Sequence, residues 1–244
     1  VLEDGAPVVE EMIKGYLSQS VTVRGRLDNT VPRDGELNPN VVAKALNIHE
    51  PEQPEVPEIV AARPPALCVG CPHIDTYNAL KASLEPYGTG HVFSDIGCYT
   101  LGALPPYQAI NSCVDMGASI TMAKGASDAG LFPAIAVIGD STFSHSGITG
   151  LLDCVNEKAN VVIVIVDNET TGMTGGQDSS ALGKIEQICQ GLGVELEHIR
   201  TVLPLKRNHD EMVKVFQEEM AYNGVSVVIP RRECIQTLSK KNRK

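Results

Sequence analysis

The chain has 244 residues, enough for one large or two small domains, and its hydrophobic content of 43% is ordinary for a folded protein. A formal net charge of −10, with basic clusters only at Arg231-Arg232 and in the terminal "KKNRK", argues against a nucleic-acid partner. No secretory signal is visible, and the apolar runs are far shorter than a membrane span. These features indicate a cytoplasmic protein, in which seven cysteines favour metal ligands or buried thiols over disulfides.

Residues 1–50 predict a small α/β segment that forms the C-terminal part of a preceding domain. We expect strands in "VLED" and "VTVRG" and helices in "GAPVVEEMIKGYL" and "LNPNVVAKALNI", where a proline stands near each helix start. Five prolines then fall within residues 51–65, a composition that predicts an extended linker.

Residues 66–244 predict a doubly wound α/β domain with a mostly parallel sheet. Four continuous apolar runs, in "HVFSDIG", "AIAVIGD", "VVIVIVD" and "VSVVIP", are typical of strands that are covered on both faces. Between them, three stretches place an apolar stripe on one side of a helix. The stripes are Ile74/Tyr77/Leu80/Leu84, Ile148/Leu151/Leu152/Val155 and Met212/Val215/Phe216/Met220.

Two of the predicted strands end on acidic residues that stand 27 positions apart, Asp140 and Asp167, and Asn168 follows the second. A right-handed crossover brings both strand ends to the same edge of the sheet, where ligands of such folds bind. A carboxylate with an amide oxygen suits Mg²⁺, which takes one or two carboxylates together with phosphate oxygens. The simpler alternative is two ordinary strand ends with polar caps.

Two other interpretations of this stretch are excluded because the chain lacks the sequence motifs that they require. The run "GDS" near His145 suggests a serine hydrolase, but the chain has neither D-x-x-H nor a G-x-S-x-G elbow. A dinucleotide fold would need G-x-G-x-x-G after a strand, and neither turn carries it.

Four cysteines form a second candidate site. Cys68 and Cys71 make a C-x-x-C, and Cys98 and Cys234 each follow a predicted strand. Four thiolates can hold a tetrahedral zinc or a [4Fe–4S] cluster, and spacing alone does not separate the two. The other three cysteines are expected as buried core thiols: Cys113, Cys154 and Cys189.

Five motifs follow one another in a distinctive order: "CVGCPHIDTYNAL", "SDIGCYTLGALPPY", "CVDMGASITMAKG", "GDSTFSHSGITGLLD" and "DNETTGMTGGQ". In this order the chain resembles the thiamine-diphosphate-binding domain of the 2-oxoacid:ferredoxin oxidoreductases, most closely the α subunits of the indolepyruvate:ferredoxin oxidoreductases. The superfamily pattern is G-D-G…N-N. Here Ser141 replaces the third glycine and Asp167 the first asparagine.

The resemblance implies three cofactors and a set of residues for each. Thiamine diphosphate would contact Gly97, Asp115, Gly117, Ala118, Gly139, Ser141, Thr142 and Thr174. Mg²⁺ would be bound by the side chains of Asp140 and Asn168 and the carbonyl of Thr170, and a [4Fe–4S] cluster by Cys68, Cys71, Cys98 and Cys234. Catalytic roles would fall to His73, Thr171 and Met173, with His145 as a further acid–base candidate.

The implied reaction is oxidative decarboxylation of a 2-oxoacid, by resemblance an aryl pyruvate. Electrons would pass through the cluster to ferredoxin, and coenzyme A would take the acyl group. The family places the glutamate that activates thiamine on a pyrimidine-binding domain, which we do not find here. We therefore expect the diphosphate-binding part of a larger enzyme, catalytically silent alone, that works with a pyrimidine-binding domain or partner subunit in a dimeric assembly.

Two alternatives stay open from the sequence. A non-oxidative thiamine-diphosphate 2-oxoacid decarboxylase subunit would use the same Mg²⁺ site but has no use for the four cysteines. A non-catalytic, zinc-bound scaffold subunit would explain why Ser141 stands where glycine is usual.

Overall fold

The computed structural model describes residues 1–50, 55–61 and 64–242. The chain divides into two compact units, Val1–Arg63 and Pro64–Lys244. Part of the predicted linker, residues 51–54 and 62–63, lies outside the described residues, and residues 55–61 contain neither helix nor strand. Over the described ranges, we find no helix with the length and apolar character needed to cross a bilayer.

The first unit contains two helices, α1 (Val8–Tyr16) and α2 (Pro39–Ala45). The carboxylate of Glu3 accepts hydrogen bonds of 2.8 and 2.9 Å from two backbone N–H groups in the first turn of α1. The side chain of Asn38 caps α2 in the same way, at 3.1 and 3.0 Å. These side chains satisfy N–H groups that have no partner within the helix.

The strands expected in "VLED" and "VTVRG" are wrong, because residues 1–50, all of them described, contain no strand. Buried side chains satisfy the backbone of this region instead. The guanidinium of Arg26 donates to the carbonyls of Glu3 and Pro32, and the carboxylate of Glu10 accepts from the Leu27 N–H at 3.0 Å. Apolar alternation predicts a strand only where a neighbouring strand is available to pair with it.

The second unit is built on a six-stranded, wholly parallel sheet. Its strands are β1 (Val92–Ser94), β2 (Ser112–Cys113), β3 (Ile135–Gly139), β4 (Val161–Val166), β7 (Ile199–Val202) and β8 (Val225–Pro230). Their spatial order is β2-β1-β3-β4-β8-β7. A separate antiparallel pair consists of β5 (Thr170–Thr171) and β6 (Gln177–Asp178).

The helices of this unit cover both faces of the sheet. They are α3 (Pro72–Leu84), α4 (Ala118–Asp128), α5 (Asp140–Thr142), α6 (Ile148–Asn156), α7 (Ile185–Gly191), α8 (His209–Ala221) and α9 (Ile235–Lys241). A π-helical turn, Phe143–Gly147, joins α5 to α6. The three helices predicted from apolar stripes are confirmed as α3, α6 and α8, and the doubly wound α/β fold is confirmed with them.

Strand β4 contributes alternate residues to two separate cores. One face packs against side chains of α3 and α8, and the other against α4, α6 and α7. Burial of each such Val or Ile contributes about 1.5–3 kcal/mol to the stability of the folded state. The centre of the sheet is therefore the most strongly stabilised part of this unit, and the residues at the strand ends are built on it. The two sets are Val162, Val164 and Val166 on the first face and Val161, Ile163 and Ile165 on the second.

The strand order reverses between β1 and β3. From β1 the chain crosses to β2 on one side, and it later returns to β3 on the other side of β1. In a parallel sheet such a reversal opens a crevice beyond the carboxyl ends of the two strands. Asp140 directly follows β3 at this point.

Candidate functional site

A cleft of about 240 Å³ lies at this reversal point. Three segments at the ends of strands or beyond them line it. They are residues 96–99, residues 139–142, and residues 166, 168 and 170–174. His73 and Met116 complete the lining. Of the residues singled out from the sequence, the cleft brings together His73, Gly97, Cys98, Gly139, Asp140, Ser141, Thr142, Asn168, Thr170, Thr171, Met173 and Thr174.

Asp140 presents a buried carboxyl group to this cleft. Its Oδ1 accepts a hydrogen bond of 2.7 Å from the Ser141 N–H. Its Oδ2 is buried, and no donor among the described residues meets it with hydrogen-bond geometry, although the Ser179 side chain is close enough to lower the pKa of the carboxyl group against the effect of burial. Burial, reinforced by the charge of Asp167, raises the pKa of Asp140 to about 7. An unpaired buried carboxylate oxygen is costly, so its position suits a cation.

Asn168 and Thr170 lie on a tight turn that lines the same cleft. Glu169, between them, has a φ of +64°, which turns the chain sharply. The Thr170 N–H donates to Asn168 Oδ1 at 3.3 Å, and the Thr170 hydroxyl donates to the Gln177 carbonyl at 2.8 Å. Carboxylate and amide oxygens are hard donors, so with Asp140 this set fits Mg²⁺.

Asp167, which replaces the usual asparagine, does not line the cleft. Its Oδ2 accepts a hydrogen bond of 2.6 Å from Arg231 Nε. The two terminal nitrogens of Arg231 donate to the two carboxylate oxygens of Glu186, at 2.7 and 2.9 Å. The hydrogen bonds from Arg231 lower the pKa of Glu186 to about 2. The negative charge that Asp167 brings in place of asparagine is therefore neutralised by Arg231, which stands 64 residues further along the chain.

The ring of Tyr99 forms one wall of the cleft and packs against two of the predicted glycines. A Cβ on Gly139 would lie 2.5 Å from Tyr99 Cε1, and one on Gly97 would also overlap the ring. The Tyr99 hydroxyl donates to the carboxylate of Asp95. Both glycines are needed because the ring approaches the backbone so closely.

The carboxylate of Asp95 accepts hydrogen bonds from the "DMGAS" turn, residues 115–119, at the start of α4. Its Oδ2 accepts from Gly117 N–H at 3.1 Å, from Ser119 N–H at 3.4 Å and from the Ser119 hydroxyl at 2.6 Å. These donors are thus satisfied from within the protein, and Met116 is the part of the turn that lines the cleft. The roles of Asp115, Gly117 and Ala118 as cofactor contacts stay a prediction, since the cleft lining does not include them.

Several hydroxyl side chains also line the cleft, among them those of Ser141, Thr171 and Thr174. The hydroxyls of Ser141 and Thr171 lie 2.8 Å apart, which links the end of β3 to the loop after β4. The Thr174 hydroxyl donates to Gln177 Oε1 at 2.7 Å. The side chain of Met173 is 56% exposed at the mouth of the cleft. Such a lining offers hydrogen bonds to phosphate oxygens and an apolar edge above them.

The two candidate histidines have different surroundings. His73 is buried in the cleft wall, where burial and the charge of Arg232 lower the pKa of its imidazole to about 4, so it is neutral at neutral pH. Its Nε2 lies 3.5 Å from Asn168 Nδ2. His145 is exposed on the π-helical turn and does not line the cleft. Catalytic roles for either residue stay predictions.

The four predicted thiols lie together behind the loop 170–176. Burial and the charges of Cys68, Cys234 and Cys98 raise the pKa of Cys71 to about 11. A Cβ on Gly172 would lie 3.3 Å from Cys98 Sγ and 4.0 Å from Cys234 Sγ, so this loop passes directly over two of the thiols. Clustered thiols that oppose one another's ionisation are suited to a shared cation.

Of the remaining cysteines, Cys154 and Cys189 are fully buried in the core, as predicted. The prediction for Cys113 is wrong: it is half-buried, because it lies on the edge strand β2, and its Sγ is 3.6 Å from the Asp95 carbonyl. The sequence does not single out Asp95, Tyr99 and Arg231, because each acts on a residue far along the chain that no local pattern marks. These residues are Ser119 for Asp95, Gly139 for Tyr99 and Asp167 for Arg231.

The chain is similar in sequence and in fold to several known proteins. Indolepyruvate oxidoreductase subunits IorA of Methanothermobacter thermautotrophicus and Archaeoglobus fulgidus are each 35% identical, over 96% and 100% of this chain. The chain spans about two fifths of their length, 41% and 42%. The 2-oxoglutarate:ferredoxin oxidoreductase from Magnetococcus marinus has a similar fold, with a TM-score of 0.59 at 17% identity over 71% of this chain and 66% of that chain.

The family model of the thiamine pyrophosphate enzymes, C-terminal TPP binding domain, matches residues 95–229. That range is more than half of the chain. It contains the strand ends that carry Asp140 and Asn168 and most of the cleft lining. The chain therefore belongs to the thiamine pyrophosphate (thiamine diphosphate) enzymes and carries their C-terminal TPP-binding domain.

Proposed function

We propose that the chain is the diphosphate-binding part of a thiamine-diphosphate-dependent 2-oxoacid:ferredoxin oxidoreductase. The relatives' name, indolepyruvate oxidoreductase, favours an aryl pyruvate as the 2-oxoacid. Coenzyme A would be the acyl acceptor and ferredoxin the electron acceptor. Because the chain spans about two fifths of its relatives, a pyrimidine-binding domain would come from elsewhere in the protein or from a partner subunit, in a dimeric assembly.

The main observation that supports a cofactor site is the unpaired Oδ2 of Asp140. With Asn168 and the carbonyl of Thr170 it would hold Mg²⁺, and the hydroxyls of Ser141 and Thr171 would contact the diphosphate. Thiamine diphosphate, when bound, supplies the carbanion chemistry that decarboxylates a 2-oxoacid. The residues of this chain bind and orient it.

The remaining walls would shape the reacting end of the site. Tyr99 is fixed by its hydrogen bond to Asp95, so its ring is a rigid surface. His73 is neutral and can accept or donate a hydrogen bond without adding charge. Met116 and Met173 offer apolar surface at the mouth, which would exclude water from the reacting atoms.

The four thiols beside the cleft support the redox part of the proposal. Four thiolates from three parts of the chain could hold a zinc ion or a [4Fe–4S] cluster, in which each thiolate would bind a different iron. The proposed transfer of electrons to ferredoxin favours the cluster, because zinc has no redox chemistry. Seven free cysteines also fit the reducing cytoplasm, where we place the protein.

Anaerobic purification followed by a visible absorbance spectrum and iron and zinc assays tests the cluster. We expect iron and a broad band that a reductant bleaches. Cys98→Ser should lower the iron content, and the matched variant Cys113→Ser should leave it unchanged. Zinc in place of iron would overturn the electron-transfer assignment and favour a decarboxylase or a scaffold.

A separate thermal-unfolding measurement tests the cofactor site. Thiamine diphosphate with Mg²⁺ should raise the melting temperature, because a ligand at 100 times its Kd adds about 2.7 kcal/mol to the stability of the folded state. An unchanged melting temperature at saturating ligand would contradict the site.

A further inference from the structure

Arg231 makes contacts that the proposed chemistry leaves unexplained. It lies next to Asp167 in a parallel bridge beyond the end of β8. One side of its guanidinium contacts Asp167, and the other forms a two-pronged pair with Glu186. The hydroxyl of Thr201 donates to Glu186 Oε1 at 3.1 Å, which holds that carboxylate in turn. A guanidinium bound in this way has a single orientation.

The Asp167 carboxylate that Arg231 holds is itself part of the turn at the cleft. Asp167 is buried, and its Oδ1 accepts the Glu169 N–H at 3.1 Å, within the turn that carries Asn168 and Thr170. The backbone on either side is fixed as well, because Cys234 N–H donates to the Asn168 carbonyl at 3.1 Å. One carboxylate oxygen therefore shapes the turn while Arg231 neutralises the other.

Asp167 also lies beside the carboxyl group of the cleft. Gly139 on β3 is in register with Val166 on β4, so Asp140 and Asp167 are the next residues of two adjacent parallel strands. Asp140 already has an unpaired oxygen. A second carboxylate without a cation would place two negative charges side by side where a diphosphate is to bind, and like charges in a buried site repel strongly.

We propose that Arg231 is a positioning residue for the metal and diphosphate, an inference that rests on the proposed function. By neutralising Asp167 and keeping it away from the cleft, Arg231 limits the metal site to one carboxylate and one amide. It also fixes the turn that presents Asn168 and Thr170. This arrangement suits Mg²⁺ bound through phosphate oxygens, which needs few protein carboxylates.

The test is a set of four variants, introduced into the intact protein as it assembles in the cell. They are Arg231→Met, Asp167→Asn, the double variant, and Arg200→Met as a matched control. Arg200 also pairs with two carboxylates, Glu218 at 3.2 Å and Glu219 at 3.1 Å, but none of the three lines the cleft. The readout is binding of the complex of thiamine diphosphate with Mn²⁺, a substitute for Mg²⁺, measured by electron paramagnetic resonance as thiamine diphosphate is titrated at a fixed concentration of Mn²⁺.

Arg231→Met should weaken binding of the Mn²⁺–thiamine diphosphate complex by about tenfold or more, because the unpaired carboxylate of Asp167 repels the diphosphate and no longer fixes the turn that presents Asn168 and Thr170. Adding Asp167→Asn should restore binding to within about threefold of the wild type, because it removes that charge. Asp167→Asn alone and Arg200→Met should both bind like the wild type. The rescue distinguishes positioning from a structural role, since the double variant still lacks the Arg231–Glu186 contact.

Three results would overturn the inference: wild-type binding in Arg231→Met, a double variant as weak as Arg231→Met, or lost binding in Asp167→Asn alone. If Arg231→Met does not fold, Arg231→Gln keeps an amide donor without the charge, and it should bind the complex more weakly than the wild type and be rescued by Asp167→Asn in the same way. A wild-type protein that binds no Mn²⁺ with thiamine diphosphate would instead refute the proposed function, and the inference with it.

Discussion

The carboxyl group of Asp140 links the stability of the ligand-free protein to pH. Burial, together with the charge of Asp167, raises its pKa to about 7, whereas a carboxyl group in an unfolded chain titrates near about 3.9. Between these values the folded protein holds one proton more than the unfolded chain. The contribution of this group to the free energy of unfolding therefore falls as pH rises from about 4 to about 7, and a cation bound at Oδ2 would offset the loss.

Asp140→Asn should remove this contribution and leave those of the other groups, including His73, whose lowered pKa acts in the opposite direction. Each unit of pKa shift corresponds to about 1.4 kcal/mol, so between about pH 4 and about pH 8 the stability of the wild type should fall by a few kcal/mol relative to that of the variant. Urea unfolding of the metal-free proteins near about pH 4 and about pH 8 measures both. Equal pH slopes for the two proteins would show that this carboxyl group does not titrate as described.

At the scale of elements, glycine lets the short 3₁₀ turn Cys98–Ala103 pack on the end of β3. Gly139→Ala would place a Cβ 2.5 Å from the Tyr99 ring, and overpacking of this kind costs about 1–3 kcal/mol. The matched control is Gly125→Ala in the interior of α4, where nothing lies within 4 Å of the new methyl group. That change should stabilise the helix by about 0.5–1 kcal/mol.

Denaturant unfolding of these two variants checks the packing. We expect the midpoint to fall for Gly139→Ala and to rise or stay constant for Gly125→Ala. If both variants shift the midpoint in the same direction, the close approach of Tyr99 to the backbone is wrong.

The elements that the sequence predicts well are those buried on both faces. β3, β4 and β8 are continuous apolar runs, and a chain segment of that kind is stable only inside a covered sheet. β7 was missed because it lies at an edge of the sheet and is half-exposed, so its residues alternate weakly. α4 was missed because its small side chains give little apolar contrast.

At the scale of the whole molecule, predictability depends on sequence distance. Asp140 and Asn168 could be found because each stands within two residues of the end of an apolar run, and the crossover rule joins the two strand ends. The Asp167–Arg231 pair joins residues 64 positions apart, and the Asp95 bonds to Ser119 span 24. Such partners are set by the tertiary fold, which local patterns do not encode.

All residues of the cleft and the four clustered cysteines belong to the unit Pro64–Lys244, whose sheet is covered on both faces by its own helices. We therefore expect residues 64–244, produced without residues 1–63, to fold and to gain thermal stability from thiamine diphosphate with Mg²⁺ as the 244-residue chain does. Circular dichroism and thermal unfolding of the two proteins, with and without ligand, measure this. If the shorter protein is unfolded, or loses a ligand-induced shift that the longer one shows, the cofactor site depends on the first unit, because nothing else differs between the two.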